Sequence, residues 1–172
     1  QAGIAQIEKS KKTIIVMPSA AFAGGVLREC PTQKPVQGRK EMEVQFVHHE
    51  PARTYDKVCR VDQMLYLAGE DSKDTATQKV RGKDVAEQTE ILFQNLKNTL
   101  EGFGSGLDHI IKMTAYLVDR NDRNAFSAAR ARCMNHTPPS TLIMGVQLAE
   151  PEMLVEVDAI AVIPDGSTRV IQ

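Results

Sequence analysis

The spacing of apolar residues changes period several times along this chain. Residues 42–47 (MEVQFV) alternate and predict a strand, and residues 57–69 (KVCRVDQMLYLAG) alternate again as a second, the two strands suggesting a hairpin that ends at Gly69. Residues 70–84 are polar throughout and read as an exposed loop whose charges are solvated. Val85, Thr89, Leu92, Leu96 and Leu100 then recur at intervals of three and four, which predicts a helix with one buried stripe; Asp84 can cap its start, and Gly102 and Gly104 can end it. Alternation returns over residues 109–119, and residues 122–134 are Ala-rich and helical, with Asn121 or Asp122 as the cap. Pro138 and Pro139 exclude helix, so residues 141–148 and 154–163 complete the pattern as strands. The predicted order is β-β-α-β-α-β-β. Two amphipathic helices can cover one face of such a sheet, and the uncovered face points to oligomerisation.

The first forty residues differ in texture. Pro18, Pro31, Pro35 and the pair Gly24-Gly25 interrupt short apolar pieces, of which residues 13–17 (TIIVM) fit a strand. We therefore divide the chain into an N-terminal arm, 1–40, and a folded domain, 41–172.

Composition narrows the class. At 172 residues and 42% hydrophobic, the chain can bury one sizeable core. A formal net charge of −1 with scattered Lys and Arg excludes a nucleic-acid backbone binder, and no apolar run reaches membrane-spanning length; a soluble, cytoplasmic protein with a small-molecule partner is expected. Cys30, Cys59 and Cys133 lack CxxC or Cys/His spacing, so three reduced thiols are expected. His109 and His136 have no partner at metal-ligand spacing, and the glycines match no phosphate-binding loop, so no metal and no cofactor is expected.

The chemistry concentrates in residues 154–163 (LVEVDAIAVI). Glu156 and Asp158, two apart, share one face of an otherwise apolar strand. On the strand pattern alone they fit a polar interior channel or ion pairing with basic groups. Upstream, HHEPARTY places His48, His49, Arg53 and Tyr55 close together, and Arg130 and Arg132 add charge to the second helix.

Three stretches together resemble a known family: YLAG at residues 66–69, DVAEQTEILFQNLKNTLEGFGSGLDHIIKMTAYLVDRND at 84–122, and PPSTLIMGVQLAEPEMLVEVDAIAVI at 138–163. Their order and spacing are similar to the Rid family, the YjgF/YER057c/UK114 group of reactive-intermediate deaminases, over residues 53–163. The resemblance implies a chorismate mutase-like (YjgF-like) α+β fold, with two helices on one face of a sheet. It also implies a homotrimer with a barrel core and active sites in clefts between subunits.

By position, the family's catalytic glutamate falls on Glu156, its tyrosine on Tyr55 and its pocket glycine on Gly69. Four positions depart from the family pattern. Thr141 stands where the family's Pro-x-Arg-Ser-x-Val motif has a substrate-binding arginine, Ile143 for a cysteine, Ala68 for a serine and Ser127 for an asparagine. Threonine cannot reproduce a bidentate, permanently charged carboxylate clamp. The resemblance thus implies a divergent member that releases ammonia by adding water to an imine-like carbon. Glu156 and Tyr55 would be catalytic, and Gly69, Thr141, Ile143, Met144 and Arg53 would bind substrate. A carboxyl in a partly dry cleft titrates nearer neutrality, which lets it accept and return a proton. With the arginine gone and Leu142, Ile143 and Met144 apolar, an aromatic-pathway substrate is expected. Examples are 4-hydroxylaminobenzoate, converted to 3,4-dihydroxybenzoate and ammonia, or an aminomuconate. The alternative is a non-catalytic trimer that binds a small ligand or acts as a chaperone.

Overall fold

A computed structural model describes residues 42–49 and 54–166. Arg53, Cys30 and the arm, including its predicted strand, lie outside the described residues. The elements are β1 (Val44–His48), β2 (Asp56–Val61), β3 (Met64–Glu70), α1 (Val85–Glu101), β4 (Ile110–Leu117), α2 (Arg123–Cys133), β5 (Ser140–Met144) and β6 (Val155–Val162).

The six strands form one mixed sheet in the order β1-β2-β3-β6-β4-β5. All pairings are antiparallel except β4 with β5, which α2 joins as a crossover. Five strands were expected; the sixth arises because residues 57–69 turn back at Asp62-Gln63, with Val61 opposite Met64. Asp62 takes a left-handed φ of 49° there, and its carboxylate accepts from the Glu43 N–H at 3.0 Å.

Both helices lie on one face, as the sequence implies. Leu92, Phe93, Leu96 and Leu100 of α1 and Phe126 of α2 meet Leu65 (β3), Met113, Ala115 and Leu117 (β4), and Val155, Val157, Ala159 and Ala161 (β6) in one core. Asp84 caps α1 by accepting from the Glu87 N–H at 2.9 Å. Gly102 stays helical, and the left-handed residue that ends the turn is Gly104, with φ +73°. Neither predicted cap of α2 makes a side-chain capping bond. Asp119 instead accepts from the Asn121 N–H at 2.8 Å and shapes the short turn that leads into the helix.

Two further expectations are corrected. β5 stops at Met144, where Gly145 takes φ +79°, instead of running to residue 148. The polar stretch after β3 is not simply solvated, because Asp71, Ser72 and Lys73 are buried. Asn95 of α1 donates to the carbonyls of Asp71 and Lys73 at 3.0 and 2.9 Å, and the Lys73 ammonium reaches Glu150 at 2.8 Å. These bonds to α1 and Glu150 hold the segment after β3 in place.

Candidate functional site

Strand alternation divides the sheet residues between two faces. In β6, Val155, Val157, Ala159 and Ala161 point to the helices, so Glu156, Asp158, Ile160 and Val162 lie on the face the helices leave uncovered. Cross-strand register extends this face into rows. One runs from Glu156 to Tyr116 to Ile143, a second from Asp158 to Thr114 to Thr141, and a third is apolar, through Ile160, Tyr66, Cys59 and Phe46.

Glu156 and Gly69 meet. A Cβ built on Gly69 would stand 2.0 Å from Glu156 Oε1 and 2.7 Å from its Cδ, so the carboxyl group occupies the space that any larger residue would fill. The register of β3 against β6 shifts between Leu67 and Glu70, and this irregularity brings the Gly69 backbone beneath the acid. A hollow of about 170 Å³ adjoins Gly69, with His48, His49, Lys57, Asp71 and Lys73 among its lining residues. Tyr55, half exposed, stands edge-on to the His49 ring with centroids 5.0 Å apart. His48 is bonded to the Asp56 carboxylate.

Asp158 is differently placed. It accepts the Tyr116 hydroxyl at 3.0 Å, and this bond, with desolvation and the nearby acids adding to it, holds the phenol's pKa above the ordinary tyrosine value. Asp158 is thus an acid bonded within a polar face.

Thr141, Ile143 and Met144 do not converge on Glu156 within one chain. Two inter-strand spacings and one row separate Thr141 from Glu156, roughly 12 Å along the sheet. Thr141 and Ile143 lie on the uncovered face, whereas Leu142 packs against the core and Met144, two residues on, shares its side of the strand. Ser127 lies in a separate groove beside α2.

Near Thr141, positive charge comes from side chains the sequence did not single out or ranked low. The Lys112 ammonium donates to Thr141 Oγ1 at 3.0 Å and to the Met113 carbonyl at 3.2 Å. Arg130 donates to Ser140 Oγ at 2.9 Å. Arg132 is committed elsewhere, with both donors on Glu90 at 2.6 and 2.9 Å. A carboxylate thus lies at Gly69, and two cationic side chains, Lys112 and Arg130, lie around the start of β5.

Lys112 and Tyr116 alternate with buried Met113, Ala115 and Leu117, which is the one available sequence signal for their face. Gln88 gave no signal. Although buried, its amide donates to the Glu152 carbonyl at 2.8 Å and accepts the Leu154 N–H at 2.9 Å, fixing the entry to β6 and hence the position of Glu156. His136 donates from Nε2 to the Ile110 carbonyl at 3.0 Å. Among the described residues, no helix is long and apolar enough to cross a membrane.

A six-stranded mixed sheet with two helices on one face is a YjgF-like α+β domain. Residues 47–163 match the family model described as Endoribonuclease L-PSP, and the chain belongs to this family, the YjgF/RutC/Rid group. A RutC family protein of Saccharolobus solfataricus is 30% identical over 112 residues, covering 65% of this chain and 89% of that one. Among solved structures, an Entamoeba histolytica protein described as an endoribonuclease L-PSP is 31% identical with a TM-score of 0.61, covering 67% and 93% of the two chains. RidA from an Antarctic Psychrobacter is 26% identical with a TM-score of 0.56, covering 64% and 89%. The family includes imine deaminases and small-molecule binders.

Proposed function

We propose that this chain is a cofactor-independent enzyme that releases ammonia from a small nitrogenous metabolite by adding water to an imine-like carbon. The observation that carries the reading is the seating of the Glu156 carboxyl over Gly69, a contact open only to glycine at that position. Glu156 takes a proton from water as the water oxygen bonds to carbon and returns it to nitrogen, giving a carbinolamine; it then carries the hydroxyl proton to the same nitrogen as the C–N bond breaks, so that ammonia leaves and a carbonyl remains. Tyr55, in ring contact with His49, which lines the hollow beside Gly69, orients the substrate or donates a proton.

The reading assigns the complete site to a homotrimer, in which the acidic half-site of one subunit faces the cationic half-site of the next. The separation of the two halves along the sheet and the apolar row on its uncovered face support this arrangement. Thr141 and Ile143 would border the cleft, with Lys112 returning charge to the strand that lacks the family arginine.

An aromatic-pathway substrate fits the apolar Ile143. For 4-hydroxylaminobenzoate the balance is one water consumed, with 3,4-dihydroxybenzoate and ammonia formed; an aminomuconate is the other substrate of this class. The substitution at Thr141 supports a second reading, a trimer that binds a small ligand without turnover. Ammonia release from arylhydroxylamines, aminomuconates and freshly generated imines separates the two. Turnover abolished by Glu156→Gln supports the enzyme, and ligand binding without turnover, unaffected by that change, supports the binding protein.

A further inference from the structure

Asp158 differs from the acids that line the hollow beside Gly69. There Glu70 faces Lys57 at 3.8 Å and Asp71 faces Lys73 at 3.5 Å, and Lys73 also holds Glu150 at 2.8 Å. His48 is bonded to Asp56, and His49 completes the ionisable lining. Each of these acids has a basic partner. Among the described residues, no Lys, Arg or His nitrogen lies within 4.0 Å of the Asp158 carboxylate, and its hydrogen-bond partner is the neutral Tyr116 phenol at 3.0 Å. On β4, Lys112 stands opposite Ile160, and its ammonium turns to Thr141 Oγ1 and the Met113 carbonyl. The β4 and β5 residues in Asp158's own row, Thr114 and Thr141, are uncharged.

A charge left uncompensated on a half-buried strand face is costly, and its field acts on whatever ionises nearby. Its neighbour along the strand is Glu156. Two residues of extended chain put the two Cα atoms about 7 Å apart, with both side chains on one face. The Tyr116 phenol links them: it pairs across the ladder with Glu156, donates diagonally to Asp158, and is subject to the charge of both acids.

We propose that Asp158 is a positioning residue that acts through Glu156: its charge, held on this face by Tyr116, makes Glu156 keep a proton to higher pH, so that one carboxyl can both take a proton and return it. The catalytic part rests on the ammonia-releasing reading, whereas the coupling of the two acids does not. Coulomb's law for unit charges about 7 Å apart, between the dielectric response of water and that of a protein surface, gives a shift of roughly half a pH unit to nearly two.

Carbon-13 NMR of the glutamate carboxyls in the full chain reads this directly, with the Glu156 signal identified by its loss in Glu156→Gln. Asp158→Asn, which keeps an oxygen for the Tyr116 hydroxyl, should lower the Glu156 titration midpoint by that interval. Asp158→Thr, a neutral residue suited to a strand, is the second variant and should lower it alike. Asp158→Glu keeps the charge and should give a midpoint near wild type, and Glu101→Gln, which removes an equal charge from the exposed end of α1, should move nothing. On a substrate that is turned over, the acidic limb of the kcat/KM profile should move to lower pH by the same interval in Asp158→Asn, because Glu156 starts the reaction unprotonated. An unmoved or raised midpoint in the folded neutral variants overturns the proposal, with or without turnover, and a lowered midpoint with an unmoved limb overturns the role in catalysis. A lowered midpoint with no compound turned over upholds the coupling and removes the ammonia-releasing reading instead.

Discussion

Replacing Gly69 by alanine should separate the acid's position from the fold's integrity. The new Cβ would stand 2.0 Å from Glu156 Oε1, and ordinary contact begins at 3.4 Å, so the carboxyl must retreat by about 1.4 Å. The obstructing group is the end of a flexible side chain, so relief comes from a rotamer change costing about 0.5–1.5 kcal/mol. Catalysis is less tolerant, because a misplacement of about 1 Å costs on the order of 100-fold in rate. Gly69→Ala should therefore lower ammonia release by about two orders of magnitude while moving the urea midpoint only slightly. A double-mutant cycle sharpens the test: in a Glu156→Ala background the clash is gone, and Gly69→Ala should be nearly neutral in stability. Unchanged turnover in Gly69→Ala, or an equal stability loss in both backgrounds, would refute the reasoning.

Gln88→Ala should cost about 1–3 kcal/mol in urea denaturation, because it leaves the part-buried Glu152 carbonyl and Leu154 N–H without their partner; a loss below about 0.5 kcal/mol would contradict that role. Tyr116 should ionise above the ordinary tyrosine pKa in an absorbance titration, and Tyr116→Phe should remove that step. Because its folded pKa is raised, its contribution to stability is complete below the ordinary tyrosine pKa and is lost as pH rises through the folded value. Tyr116→Phe should therefore show a shallower alkaline loss of stability than wild type, and an identical pH profile would count against the Asp158 bond.

Elements with one strong local period were legible in the sequence. The α1 stripe follows directly from Val85, Leu92, Leu96 and Leu100, and β6 from its strict alternation, because a helix or strand that buries one face writes its period into the chain. What failed was set by tertiary contacts. Asp71, Ser72 and Lys73 look solvated in the sequence because Asn95 and Glu150, which hold this segment, are distant along the chain. The Asp62 turn was missed because a left-handed aspartate between two alternating runs leaves the alternation nearly intact.

The site divided along the same line. Glu156 and Gly69 could be placed by their positions within matching motifs, and the register irregularity in β3 brings them into contact. The cationic side could not be placed, because Lys112 reaches Thr141 only through the parallel pairing of β4 with β5, a register that neither strand's own sequence encodes. Arg130 and Arg132 look alike in the sequence; a glutamate on α1 and a serine opening β5 give them different roles.

The most direct test of the account is ammonia release by purified wild-type protein and Glu156→Gln, assayed against arylhydroxylamines, aminomuconates and freshly generated imines. The account predicts that wild type turns over at least one of these compounds and that Glu156→Gln, folded to the same midpoint, loses the activity by about 100-fold or more. A folded Glu156→Gln variant that releases ammonia at the wild-type rate would contradict it.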